Sequence, residues 1–178
     1  SESYTFTAVN GTNYFVYIAH YSTSSTTTGT FTISRTCTAP PTPPANDNCS
    51  AATAFPAIPT NGTCATLSNQ STALASNSGV TPTGYCTSNS GNPDDDVWFS
   101  FVASATAIDL SATYVSGASD LYWQVFSGSC GVSMTSIYCS DFNDAGFSMT
   151  GLTIGQTYYI RLYTYAASAS TIQTLCLS

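Results

Sequence analysis

The chain has 178 residues, of which only 6% are charged, and nine acidic residues against two basic ones give it a net charge of -7. The two basic residues, Arg35 and Arg161, form no cluster. This argues against nucleic acid and anionic membranes as partners, because both are bound through Lys and Arg. Aromatic residues reach 13%, enough for a buried core, and no apolar run is long enough for membrane insertion. The composition predicts a globular protein with an uncharged, polar surface.

A motif near the start of the chain occurs again near its end. Gly11 of the first copy falls on Gly155 of the second, and Tyr14 falls on Tyr158. The second copy is preceded by about 100 residues that read as one module, whereas the first has almost none. Residues 1–37 are therefore predicted to be the C-terminal strands of a preceding or complementing module.

A proline-rich stretch follows the first copy of the motif. Residues 38–46 contain four of the eight prolines, a composition that favours an extended, semi-rigid linker. We therefore place a boundary here, and predict a complete module over residues 47–178.

Short runs rich in Tyr, Phe, Val, Ile and Thr recur through that module, separated by Gly, Ser and Asn. Where every second residue of such a run is apolar, the pattern predicts a strand with one buried face. Ile108 and Leu110, for example, share a face. The predicted strands are 97–102, 107–114, 121–126, 136–139, 157–164 and 171–176, with an edge strand near 67–75. The fold class is predicted to be all-β, an antiparallel β-sandwich of jelly-roll or immunoglobulin-like form.

Seven cysteines indicate an oxidising compartment, since the chain has no CxxC motif and a single histidine, His20. Six of the cysteines lie in the complete module, and six cysteines allow 15 pairings. Cys130 and Cys139 flank a short hairpin and are predicted to pair. The other pairs are predicted to be Cys49–Cys176 and Cys64–Cys86. Cys37 is then unpaired in this chain, either as a free thiol or with its partner in a missing half-module.

An acidic cluster is the strongest candidate for a metal site. Asp94, Asp95 and Asp96 are consecutive, and Asp141 and Asp144 could join them if the loops meet. Such an oxygen-rich cluster could bind calcium, which takes six to eight oxygen ligands. The alternative is a solvated turn before a strand.

Catalysis is not expected of this chain. A catalytic histidine needs a nucleophile and an orienting acid, and the sequence offers His20 no such motif. Strand periodicity places both tryptophans in the core, so exposed tyrosines such as Tyr159 or Tyr163 are the better candidates for a glycan-stacking or partner surface.

The order of several motifs resembles a known family. The residues that carry this resemblance are Asn46–Cys49, Cys64, Cys86, Asp96–Phe101, Ser119–Leu121, Gly128–Gly131, Cys139 and Gly155–Arg161. Together they resemble the pre-peptidase C-terminal-like β-sandwich domain of large secreted Bacteroidetes proteins, over about residues 46–178. The resemblance implies a non-catalytic accessory or adhesive module, often in tandem arrays, and export by type IX secretion. The run of Asp that often follows the second hairpin cysteine in this family is reduced here to Asp141 and Asp144.

These observations favour a structural or adhesive module of an extracellular, cell-surface or filamentous bacterial protein. Its expected partners are neighbouring modules or identical chains, joined by strand complementation, with a glycan or host-surface ligand as a further expectation. No cofactor other than calcium is expected. The alternative is a carbohydrate- or protein-binding accessory module of a secreted enzyme.

Overall fold

A computed structural model describes residues 3–9, 11–19, 30, 32–36, 41–80, 91–131, 133–141 and 146–178. The chain divides into two compact units, Ser1–Thr38 and Ala39–Ser178. The described part of the larger unit consists of strands and two short 3-10 helices, Cys49–Ala51 and Pro93–Asp95. The strands are β1 Thr53–Ala54, β2 Ala65–Ser71, β3 Val97–Val102, β4 Ala107–Gly117, β5 Leu121–Ser129, β6 Ser133–Asp141, β7 Gly146–Thr150, β8 Thr157–Thr164 and β9 Thr171–Leu177.

The strands form two sheets. One has the order β1-β3-β8-β5-β6 and the other the order β2-β9-β4-β7. All neighbours are antiparallel except β1 and β3, which run parallel. The predicted all-β sandwich is confirmed.

The main core lies between the two sheets, and every second residue of a strand points into it. Along β3, Val97, Phe99 and Phe101 belong to this core, whereas Trp98 belongs to a second, smaller cluster with Phe126 and Cys49. Because neighbouring residues of a strand point to opposite faces, the second cluster covers the outer face of the five-stranded sheet. That sheet is therefore buried on both faces.

Strand β8 shows this double burial most clearly, because it lies in the middle of the five-stranded sheet between β3 and β5. Ile160 and Leu162 pack in the main core, and Arg161 and Tyr163 are also buried. Alternation with a polar outer face is absent here, which is typical of a strand that is covered on both sides.

Most predicted strands are present, with longer bounds. The edge strand expected near 67–75 is β2, which is shifted towards the N-terminus and lies at the edge of the four-stranded sheet. Strand β5 continues to Ser129, three residues beyond its predicted end, and Tyr114, the last residue of the predicted strand 107–114, is exposed. Tyr114 lies opposite Gln173 in the same unbroken register that pairs Leu110 with Leu177, so it is on the core side of the sheet, and the bulge between β4 and β9 comes after it.

The disulfide pairings differ from those predicted. The structure pairs Cys49 with Cys130 and Cys64 with Cys176, and Cys139 is also disulfide-bonded. The predicted pairs Cys49–Cys176, Cys64–Cys86 and Cys130–Cys139 are therefore wrong. Cys86 and Cys37 lie outside the described residues.

The sheet register explains two of these corrections. In the β5–β6 hairpin Cys139 lies opposite Gln124, six residues from Cys130 and so about 20 Å along the strand. That separation is too large for a disulfide, whose Cα atoms lie within about 7 Å. Cys176 belongs to β9, whose neighbour β2 begins at Ala65, so Cys64 is the cysteine within reach.

The smaller unit, Ser1–Thr38, contains no strand or helix among its described residues. We predicted that this unit supplies strands to another module. That prediction concerns a second module, so the structure of a single chain does not test it. Phe15 and Tyr17 are fully open to solvent. Neighbouring exposed aromatic side chains of this kind are unusual on the surface of a monomeric protein.

Candidate functional site

Asp94, Asp95 and Asp96 form the acidic loop, and their carboxylates bind different parts of the module. One Asp94 carboxylate oxygen accepts a hydrogen bond from the Ser168 backbone N–H at 2.9 Å. The Asp95 carboxylate accepts one from the Thr164 backbone N–H at 2.9 Å and one from the Thr164 hydroxyl at 3.1 Å. These bonds attach the loop to the end of β8 and to the loop that follows it.

Asp96 forms a buried ion pair. Its carboxylate accepts a hydrogen bond from Arg161 Nε at 2.6 Å, and both side chains have no exposed surface. Ser78 donates to the same carboxylate from its backbone N–H and its hydroxyl. The guanidinium also donates to Gln124 Oε1 at 3.1 Å and lies 5.5 Å from the centre of the Trp98 ring. The pair therefore organises the polar layer on the outer face of the five-stranded sheet.

Burial raises the pKa of Asp95 above the ordinary carboxyl value, although the hydrogen bonds from Thr164 oppose the rise. Because desolvation penalises the charged form, folding shifts the protonation equilibrium of Asp95 towards the neutral form relative to the unfolded chain. At neutral pH the Asp95 carboxylate therefore anchors the loop at some cost in the free energy of folding.

The predicted calcium site is not assembled by the described side chains. Within that part of the chain, no three acidic, cysteine or histidine side chains form a group that could hold a metal ion. The carboxylates of Asp94, Asp95 and Asp96 each bind protein donors instead. The Asp141 side chain and Asp144 lie outside the described residues, as does His20. Calcium binding therefore stays a prediction, and calorimetric titration of the purified chain tests it.

The aromatic residues predicted for a glycan surface lie mainly inside the module. Trp98 and Trp123 are buried, as expected, but Tyr163 is buried too and stacks on Tyr122, with ring centres 5.4 Å apart. Tyr159 is half-buried against the smaller cluster. Tyr165, which sequence reasoning missed, also stacks on Tyr122 and is 54% exposed.

A groove of about 390 Å³ lies beside the acidic loop. It is lined by Thr72, Leu74, Asp94 and Ser168, among others. The groove is open, has both polar and apolar walls, and joins the start of the loop after β2 to the loop after β8. Nothing in the sequence identified it, because its walls come from segments about 20 and 70 residues apart.

The repeated motif forms a tyrosine corner in the complete module. Tyr158, at the start of β8, accepts at its hydroxyl oxygen a hydrogen bond from the Thr153 backbone N–H at 2.9 Å. The Gln156 N–H donates to the Thr153 carbonyl at 3.1 Å, and Gly155 adopts a φ of 83°. Such a corner fixes the entry of a strand into a β-sandwich.

The first copy of the motif has the same corner. Tyr14 accepts at its hydroxyl oxygen a hydrogen bond from the Val9 backbone N–H at 2.8 Å. The Thr12 N–H donates to the Val9 carbonyl at 3.2 Å, and Gly11 adopts a φ of 78°. Both glycines therefore use the left-handed conformation that a side chain disfavours. The repeat that the sequence indicates is thus a repeat of local structure as well.

The two copies differ in what surrounds them. Ile160 and Leu162, which follow the corner in β8, have no exposed surface. Their counterparts in the first copy are Val16, which is 72% exposed, and Ile18, which is 50% exposed. The first copy thus has the corner of a module without the burial that the strand after the corner normally receives.

Comparison with known proteins agrees with the fold. Residues 45–177 match the family described as galactose binding domain-like, in its form associated with type IX secretion. No curated protein matches the chain. Among solved structures, the chain is similar to the periplasmic inhibitor of g-type lysozyme, PliG, from Aeromonas hydrophila, at 21% identity and a TM-score of 0.43, over 71% of this chain and 95% of that chain.

The family match supports a β domain associated with type IX secretion and does not single out the pre-peptidase C-terminal-like family. Together with five disulfide-bonded cysteines, it indicates a protein exported into or through the cell envelope. No helix in the described ranges has the length and apolar character needed to cross a membrane. The match covers most of the chain, which therefore belongs to the galactose-binding-domain-like family associated with type IX secretion.

Proposed function

We propose that this chain is a non-catalytic structural module of an extracellular or cell-surface bacterial protein, and that it acts by joining to other modules. The observation that carries the proposal is the second tyrosine corner, formed by Val9, Gly11 and Tyr14 outside the complete sandwich. A segment with the corner of a module, but with Val16 and Ile18 exposed, has a surface that another module would cover.

The polar groups of the complete module support a structural role. Its one described ion pair, Asp96 with Arg161, is fully buried, and the carboxylate of Asp95 is used to hold a loop. These carboxylates are bonded to groups of the protein itself, so they are not placed for proton transfer, which needs a substrate within hydrogen-bonding reach. Disulfides that close loops of 81 and 112 residues stabilise the sandwich outside the cell.

A binding role is the second candidate, and the groove beside the acidic loop supports it. The exposed serines Ser168 and Ser170 line the groove beside Asp94, and hydroxyl and carboxylate groups of this kind bind sugar hydroxyls. The exposed ring of Tyr165 offers a stacking surface on the same module. On this reading the chain is a carbohydrate- or protein-binding accessory module of a secreted enzyme.

Electron microscopy of the native gene product, purified from the producing cells, separates the two candidates. The structural proposal expects a row of beads, each the size of one sandwich. A single bead attached to a catalytic domain would contradict it and favour the accessory role. A glycan array with the purified chain provides the complementary result: strong binding that is lost on Tyr165→Ala supports the second candidate.

A further inference from the structure

We infer that residues 3–18 are the β7–β8 corner of a second module, and that their partner is a half-module of this same family rather than an intact copy of this chain. The inference rests on the proposed joining function and names the partner for it. The half-module would correspond to residues 46–141 of this chain, which supply β1 to β6.

The first step is that the strand after the corner is a middle strand. In the complete module β8 pairs with β3 on one side and β5 on the other, so that Ile160 lies opposite both Phe99 and Val125. Val16 occupies the position of Ile160 in the first copy, and Ile18 that of Leu162. The partner should therefore provide two strands, one on each side of residues 14–18.

The second step is the character of the segment. Tyr14, Phe15, Val16, Tyr17 and Ile18 form a run of apolar and aromatic residues without alternation. A strand covered on both faces has this pattern, whereas an edge strand of a sandwich carries a polar face. Addition to the exposed edge of a finished sheet would leave one face of this run in water.

The third step excludes an intact copy as the partner. The place between β3 and β5 is filled in this chain by its own β8, which is paired along both edges. Ile160 and Leu162 fill the core positions that Val16 and Ile18 would need. An intact copy would have to release β8 first. A half-module with β1 to β6 alone has the place open.

One of the differences between the two copies predicts a property of the partner. Tyr17 stands where the complete module has Arg161, the buried partner of Asp96. A phenol can hydrogen-bond to a carboxylate but does not neutralise it, and an unpaired buried charge is costly. The natural partner should therefore carry a neutral residue at the position equivalent to Asp96.

Hydrogen exchange on an extended chain tests the inference. The extended chain consists of residues 39–146 joined directly to residue 3 of the full chain, so that the added half-module precedes the first corner. The amides of residues 14–18 should exchange at least about 100-fold more slowly in the extended chain than in the chain alone. Tyr17→Arg in the extended chain should slow them further, because it restores the pair with the added copy of Asp96.

The control is the double variant Val16→Asp and Ile18→Asp in the extended chain. It should abolish the protection of residues 14–18 and leave residues 158–162 unchanged. Equal exchange of residues 14–18 in the original and extended chains, with or without Tyr17→Arg, would overturn the inference. So would concentration-dependent protection in the chain alone that the double variant removes, because the partner would then be an intact copy.

The failures of the inference and of the proposed function remain distinguishable. Protection in the extended chain with a single bead in electron micrographs would keep the half-module partner and reject the array. Beads in micrographs without protection of residues 14–18 would keep the joining role and reject this mode of joining.

Discussion

The two tyrosine corners provide a matched pair of substitutions in one chain. Tyr158→Phe removes the hydroxyl oxygen that accepts from the Thr153 N–H at 2.9 Å, and Tyr14→Phe removes the equivalent acceptor for the Val9 N–H at 2.8 Å. The ring is kept in both variants, so packing changes little. Only the first substitution should lower the stability of the complete module.

The magnitude follows from the exposure of the groups that remain. Tyr158 is buried, but Thr153 is exposed, so its released N–H can bind water. Loss of the bond should therefore cost about 1 kcal/mol, near the middle of the range for a net hydrogen bond. For a unit of this size the midpoint of thermal unfolding should fall by roughly 3 °C.

Urea and thermal denaturation, followed by tryptophan fluorescence, measure the effect, because Trp98 and Trp123 both lie in the complete module. Tyr14→Phe should leave the midpoint of this transition unchanged, since its corner lies outside the cooperative core. An equal loss of stability in the two variants would refute the reasoning, because it would place residues 3–18 within the same folding unit as β8.

Three further predictions concern buried polar groups and cross-links. Asp96→Ala should lower the free energy of unfolding in urea by about 3–5 kcal/mol, because Arg161 is left charged and buried; a loss below about 1 kcal/mol would show that the ion pair is dispensable. Burial raises the pKa of Asp95, so its contribution to stability is present below the unfolded pKa of 3.8 and lost as pH rises through the folded pKa. Asp95→Asn should therefore remove a fall in melting temperature that the parent shows as pH rises from about 3.8; parallel pH curves for the two proteins would argue against this assignment. Replacing Cys64 and Cys176 together by Ser should cost up to about 5 kcal/mol for a closed loop of this length, measured in urea, whereas an unchanged midpoint would mean that the loop entropy is not the stabilising factor.

The sheet pattern could be predicted from the sequence because burial on one face imposes a period of two. Ile108 and Leu110 are both in the core, and so are the two tryptophans. The short strand β1 and the role of β7 were not predicted, since two to five residues carry too little periodic signal.

The disulfides could not be predicted, because their pairing depends on which strands become neighbours. Cys64 precedes an edge strand and Cys176 lies in the last strand, 112 residues later. Only the strand order of the four-stranded sheet brings them together. Nearness in sequence favoured Cys130 with Cys139, and the length of the β5–β6 hairpin separates those two.

The acidic loop shows a different limit. Consecutive carboxylates at Asp94, Asp95 and Asp96 resemble a cation site in sequence, but a 3-10 helix ends at Asp95 and the three carboxylates bind different partners. The buried Arg161 is the residue that sequence reasoning did not connect with Asp96, because 65 residues separate them. A single basic residue in the middle of an apolar strand was the available signal, since such a charge is buried only when paired.

The duplicated corner extends what the sequence indicates about residues 1–37. Alignment of Gly11 with Gly155 and of Tyr14 with Tyr158 predicted a partial module, and the hydrogen bonds of the two corners agree with each other. The partner of the first copy was left open between identical chains and a missing half. The complete pairing of β8 in this chain now favours the half-module.

Hydrogen exchange of residues 14–18 in the native gene product, purified from the producing cells, tests the central claim most directly. The account predicts that these amides are protected to the same degree as those of residues 158–162, because both segments are middle strands of sandwiches. Rapid exchange of residues 14–18 beside full protection of residues 158–162 would contradict it.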